Sequence, residues 1–381
     1  MTEFTFILTR LLENSLLTNI TRQKVTILLG ARRVGKTSLL KKIFADYTGE
    51  KLWLNAEDSD TKKLLENRSI SNYKNLLQKS TLLIIDEAQH IEGIGNTVKL
   101  MIDEIAPLHI IITGSSAFDL AQSGYPLVGR NITQYLYPIA QAELSTTENI
   151  LQTKQQLENR LIYGAYPELF SLNTNEEKQI YLSELINTYL LKDILEFENI
   201  KNAAVLKKLL TLIAFQAGYE VSENEIANSL GISKNTVAKY LDLLEKVFII
   251  FPLTGYSNNL RKEVSKSKKW FFYDNGVRNA ILKNFSALAI RQDVGQLWEN
   301  YLIAERRKTN SYTNNNATSF FWRTYDRQEI DLVEVVNGKP HAFEIKWNSN
   351  KGKLPVAFAT AYPKAPFNLI NNDNYLSWIA V

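Results

Sequence analysis

The chain has 381 residues, 45% of them hydrophobic, with a net charge of +4 and no cysteine. Its length and apolar content suffice for two or three cores, so a multidomain protein is expected, and the charge is too small to declare a polyanion-binding surface without local clusters. The lack of cysteine excludes disulfides, thiolate metal sites and cysteine nucleophiles, and fits a reducing compartment. The opening stretch MTEFTFILTRLLENSLL carries an early Glu3 and no basic leader, unlike a signal peptide. No apolar run approaches the roughly 18 residues of a membrane helix, so a cytoplasmic protein is the expectation.

From Val25 to about Ala140, apolar strands (VTILLG, LWLNAED, TLLIIDEA, HIIITGSS, ITQYLYPI) alternate with helical segments. This is the rhythm of an α/β fold with a parallel sheet covered on both faces. It predicts an α/β domain over 1–140 with an N-terminal helix. Helical periodicity then predicts an all-α lid or linker over 141–217, followed by a winged-helix-like module over 218–272 and a smaller α/β domain over 273–381.

GARRVGKTS, Gly30 to Ser38, matches G-x-x-x-x-G-K-[ST] between a strand and a helix. In such a loop the backbone of Gly30, Ala31, Arg33, Val34, Gly35, Lys36, Thr37 and Ser38 turns N–H groups toward phosphate oxygens. Lys36 neutralises β/γ charge, Thr37 offers a hydroxyl to Mg²⁺, and the helix dipole adds to both. LLIIDEAQ delivers Asp86 and Glu87 to the carboxyl end of a buried strand. Asp86 suits Mg²⁺ coordination, and Glu87 suits orienting or deprotonating the attacking water. The strand HIIITGSS ends in Thr113, Gly114, Ser115 and Ser116, of which Ser115 is the candidate γ-phosphate sensor. Arg130 has the chemistry to stabilise γ-phosphate charge in trans, and reads equally well as a surface arginine opening a strand. The cofactors implied are ATP and Mg²⁺.

The residues GARRVGKTS, LLIIDEAQ, ITGSSAF, VGR before YLYPI, TYLLKDI, FFYDNGVRNAI and GQLWENYL together resemble the AAA+-type ATPases. The likeness is strongest to bacterial two-part proteins whose N-terminal ATPase is followed by a C-terminal domain of unknown function. In such relatives the ATP site sits between subunits, often in a hexamer, so the resemblance implies a homo-oligomer.

SENEIANSLGISKNTVAKYLDLLEK opens with a Ser-x-x-Glu pattern at Ser222 and Glu225 and turns at Gly231, reading as a helix-turn-helix capped at Ser233. Its second helix projects Lys234, Asn235, Thr236, Lys239 and Tyr240 outward, where a recognition helix reaches DNA. Arg261, Lys262, Lys266, Lys268 and Lys269 follow as a basic rim. The same module also serves protein packing in ATPases, with its lysines merely solvated.

EIDLVEVVNGKPHAFEIKW, Glu329 to Trp347, reads as a two-residue hairpin turned at Asn337-Gly338. That register sets Asp331 opposite Glu344 and Glu329 opposite Lys346, gathering acids on one face and core residues on the other. A divalent cation would remove the repulsion. With Glu299 on the preceding helix, the D…E-x-K pattern resembles the PD-(D/E)XK nuclease core, which implies a metal site of Glu299, Asp331 and Glu344 with Lys346 beside it. The family's Pro-Asp is replaced here by Ile330-Asp331. An ion-paired hairpin, with Lys346 bridging Glu329 and Glu344, is the plainer alternative. Asp274 in YDNG reads as a helix cap, and His90, His109 and His341 lie too far apart to suggest a metal cluster. Three functions stay open: an ATPase that engages or remodels DNA, an ATP-gated nuclease, and a nucleotide-switched signalling protein.

Overall fold

The computed structural model describes residues 8–20, 24–114, 127, 129–190, 203–257 and 268–380. The described chain divides into two compact units, one within Ile7–Pro138 with Lys246–Phe248, the other within Ile139–Glu245 and Ile249–Val381. No helix among the described residues is long and apolar enough to cross a membrane.

In the first unit, β1 (Val25–Leu29), β2 (Lys51–Asn55), β3 (Leu82–Asp86), β4 (His109–Gly114) and β5 (Asn131–Tyr135) form one sheet in the order β2-β3-β4-β1-β5. All four pairings are parallel. Every residue of β1, β3 and β4 is buried, as the unbroken apolar runs require when helices cover both faces. The edge strand β2 is only half-buried. Because β4 lies between β1 and β3, the carboxyl ends of all three are neighbours, and whatever follows them in sequence converges there.

The second unit begins with helices Ile150–Tyr163 and Asn175–Glu184, each opened by a capping box, at Asn149 and Thr174. After the helix Ala203–Phe215 comes a short strand, β6 (Glu220–Val221). Helices Glu223–Leu230 and Lys234–Lys246 meet at Gly231, whose φ of 66° is the left-handed conformation that glycine tolerates best. The hydroxyls of Ser222 and Ser233 accept the N–H groups of Glu225 and Thr236 at 3.3 and 3.1 Å, the expected caps. Strands β7 (Ile250–Gly255) and β8 (Lys268–Phe272) follow, then helices Asn275–Leu282 and Val294–Tyr312. The chain closes with β9 (Thr318–Arg323), β10 (Glu329–Val336), β11 (Lys339–Ile345) and β12 (Phe367–Ile370).

These strands make one seven-stranded sheet, β12-β11-β10-β9-β7-β8-β6. The expected boundary between 272 and 273 therefore falls inside a continuous sheet. With β8 paired on one side of β7, the other edge would expose unpaired backbone, and β9 covers it in parallel through Thr254↔Phe320 and Gly255↔Phe321. Asp274 caps its helix as expected, accepting N–H bonds from Val277 at 3.2 Å and from Ala165 at 2.7 Å, and burial raises its pKa.

Candidate functional site

The Gly30–Ser38 loop joins β1 to the helix Lys36–Asp46. Gly30 must be glycine for space: a Cβ there would lie 2.1 Å from the Leu136 carbonyl oxygen. Arg33 and Gly35 both adopt left-handed φ, 65° and 96°, and between them Val34 turns inward and is fully buried. Gly35 is the N-cap, and no side chain caps this helix end, so its first amides remain available to an anion. Lys36 is buried, and its ammonium donates to the carbonyls of Gly30 and Ala31 at 2.8 and 3.0 Å, curling the loop around the charge.

Asp86, at the end of β3, meets this loop. The Thr37 hydroxyl donates to one carboxylate oxygen at 2.8 Å and the Thr113 hydroxyl, from β4, donates to the other at 2.6 Å. Thr113 in turn accepts the Glu87 N–H at 2.9 Å, and Glu87 sits in a left-handed conformation (φ 53°) that separates its side chain from the strand direction. Gln89 donates to the Glu87 carboxylate at 2.6 Å. A carboxylate and a hydroxyl in contact beside a ring of loop amides is the donor set a hard divalent ion with phosphate oxygens selects, so the residues fit Mg²⁺-nucleotide. Of the polar groups expected at this strand end, Thr113 is brought to Asp86 and Glu87 by its hydroxyl, opposite Leu28 of β1. Ser115 lies outside the described residues.

Arg130 is elsewhere. The parallel register Val25↔Asn131 puts it at the start of β1, about five residues or roughly 16 Å of strand from the Gly30 end. It pairs there with Asp103 at 2.7 Å on an exposed surface. A cis role at its own chain's phosphates is excluded by that placement.

The hairpin forms as expected. Leu332 pairs with Phe343 and Val336 with Lys339, around Asn337 and Gly338 with φ of 51° and 75°, the conformations a type I′ turn requires. The clean division into a core face and an acidic face does not. Ile330 pairs with Trp322 and Val333 with Phe320, so Asp331 and Leu332 oppose the single residue Phe321 in a β-bulge. The bulge breaks the alternation, and Ile330 and Val333 share one core cluster with Trp322, Ala342 and Phe358.

Among the described residues no group of three or more His, Cys, Asp or Glu side chains is placed to hold a metal; the set expected from the sequence was Glu299, Asp331 and Glu344. In the structure these acids make contacts within the protein. Lys346 pairs with Glu344 at 2.7 Å, and Asp331 accepts the Ile345 N–H at 2.7 Å. Lys269 pairs with Glu329 and lies 3.9 Å from Glu299. Lys269 was expected on a basic rim; in β8 it is buried, and its ammonium faces inward to the acids. Burial, then the Asp331 charge, pushes the Glu299 carboxyl up to about 8 against the pull of Lys269. Burial likewise raises Asp331 and Glu344, opposed by the Ile345 N–H and by Lys346 respectively.

Of the expected DNA-facing residues, Lys234, Asn235 and Lys239 are exposed and Thr236 is half-buried, whereas Tyr240 is buried in the core. Lys268 is half-buried, with its ammonium 5.6 Å from the Trp270 ring centre. Arg261, Lys262 and Lys266 lie outside the described residues.

Comparison with known proteins agrees with this geometry. Residues 22–145 match the family model described as an AAA domain; residues 154–288 and 294–371 match two domains of unknown function, DUF8612 and DUF4143. An uncharacterized protein of Mycobacterium tuberculosis is 26% identical over 86% of this chain and 71% of its own length. One of Haemophilus influenzae is 27% identical over 67% of this chain and 68% of its own. Among solved structures, a Walker-type ATPase of Pyrococcus abyssi superposes with a TM-score of 0.51 at 16% identity, covering 74% of this chain and 97% of the other. The family match and the shared fold support a P-loop ATPase, a class that binds nucleotide with a divalent metal.

Proposed function

We propose that this chain is a Mg²⁺-dependent ATPase that couples ATP binding and hydrolysis to the engagement or remodelling of DNA. The observation that carries the catalytic half is Asp86 held between the hydroxyls of Thr37 and Thr113, with Glu87 tied to the same threonine through its N–H. Lys36 supplies positive charge to the β/γ-phosphates, and the loop amides and helix N-terminus bind the remaining oxygens. Thr37 and Asp86 would hold Mg²⁺, which when bound with ATP neutralises charge on the transferring phosphoryl group. Glu87 orients the attacking water and withdraws its proton. If Arg130 acts, it acts on a neighbouring copy's ATP, which requires a homo-oligomer.

Engagement of DNA rests on a two-helix turn with exposed Lys234, Asn235 and Lys239 at the start of the second helix, followed by an antiparallel strand pair where a wing would lie. Phosphate contacts by these residues would make binding salt-dependent. The test measures ATP hydrolysis with and without single-stranded, duplex and branched DNA. Stimulation is expected, with Glu87→Gln slowing turnover at least about 100-fold while ATP and DNA still bind. Hydrolysis unaffected by any DNA, together with no DNA binding at low salt, would remove the DNA half of the reading.

A further inference from the structure

Arg10 precedes the first described helix and belongs to no motif, yet it is 7% exposed and its guanidinium spans two backbone segments. One terminal nitrogen donates to the Val34 carbonyl at 2.7 Å, the other to the Tyr137 carbonyl at 2.7 Å. Val34 is the residue on which the loop turns, between left-handed Arg33 and Gly35. Tyr137 lies just past β5, on a segment already against the loop's other end: the Leu136 N–H donates to the Leu29 carbonyl at 2.8 Å, and the Leu136 carbonyl fills the space a Gly30 side chain would take. The loop's beginning is thus fixed by backbone contact and its turn by Arg10.

A trans peptide is planar, with its carbonyl and the following N–H pointing in opposite directions. Holding the Val34 oxygen toward Arg10 therefore turns the Gly35 N–H away from Arg10. We infer that Arg10 is a positioning residue for the phosphate cradle, fixing the Val34–Gly35 peptide so that the Gly35 amide donates to the nucleotide's phosphates. The inference rests on the nucleotide-binding reading above. Only a guanidinium serves well, because its rigid fork reaches two separate carbonyls with charge-assisted bonds, whereas an ammonium on a flexible stem would hold one. Without this anchor both left-handed neighbours leave the peptide able to rotate, and the Gly35 N–H loses its preorganisation.

The test titrates Mg²⁺-ADP into the full chain labelled with ¹⁵N-glycine, following affinity by calorimetry and the Gly35 amide proton by NMR. Wild type is expected to bind, with that proton moving downfield. Arg10→Lys should weaken ADP about tenfold, and Arg10→Ala further, each reducing the Gly35 displacement. If Arg10→Ala fails to fold, Arg10→Lys decides the matter. Affinity within twofold of wild type, or weaker affinity with the Gly35 displacement intact, overturns the positioning role while leaving the nucleotide reading standing. Failure of the wild type to take up ADP overturns both.

Discussion

Asp86 and the hairpin acids are both carboxylates beside a strand, and they differ in what neutralises them. Asp86 is approached by two hydroxyls, neutral donors that orient its oxygens and leave the negative charge in place. Glu329 and Glu344 are approached by ammonium groups, and the carboxyls of Glu299, Asp331 and Glu344 are raised toward the protonated form. A cation needs charge left over as well as oxygens in reach. The first site meets neutral hydroxyls, while in the second Lys269 and Lys346 stand against the acids. Spacing of acidic residues along a sequence reports reach alone.

The comparison breaks most sharply at the two buried lysines, which play opposite parts. Lys36 donates to the Gly30 and Ala31 carbonyls of its own loop, which holds its charge inside the cradle. Lys36→Ala is expected to lower ATP turnover by roughly 100- to 1,000-fold with the fold retained, checked by phosphate release and by circular dichroism. Lys269 compensates structure. Removing it takes the close ammonium from Glu329, which is a third exposed and also has Arg323 at 4.0 Å, so Lys269→Ala should cost about 1–3 kcal/mol of stability in urea denaturation and leave the nucleotide affinity of folded protein unchanged. Equal loss of stability in the two variants would erase the distinction.

The difference in legibility between the sites has a physical origin. The phosphate loop is written locally, its glycines, lysine and threonine all falling within Gly30–Ser38, and buried parallel strands are continuous apolar runs, so all five expected strands of the first unit form. The Asn337-Gly338 turn is local too. By contrast, Lys269 reaches Glu329 from 60 residues away, on a strand whose outward or inward face depends on pairing with β7. The bulge at Asp331–Leu332 carries no glycine or proline to announce it. Arg10 acts on carbonyls 24 and 127 residues distant, and any arginine before a helix would have read the same. Thr113 was visible as one of the polar groups at its strand end, but its place beside Asp86 depends on β4 lying next to β3, which spacing along the chain does not report.

The smallest expected effect is a pH dependence that belongs to the hairpin acids alone. Glu299 goes from the ordinary 4.5 to about 8 on folding, so the folded chain holds a proton that the unfolded chain releases first. Its contribution is therefore fully present below about pH 4.5 and is lost as pH rises through about 8, the sign opposite to that of a salt-bridged carboxylate. Asp331 and Glu344 are raised in the same direction and share the proton, so the acids titrate together and the slope is spread across that window. Solvent keeps the effect modest, because 19% of the Glu299 side chain is exposed. Denaturation midpoints measured from pH 5 to 8.5 should fall gently in the wild type. Glu299→Gln, which is neutral at every pH and keeps the shape, should flatten the slope. An unchanged slope in that variant would mean that the acids are ionised throughout, with the two lysines alone balancing them.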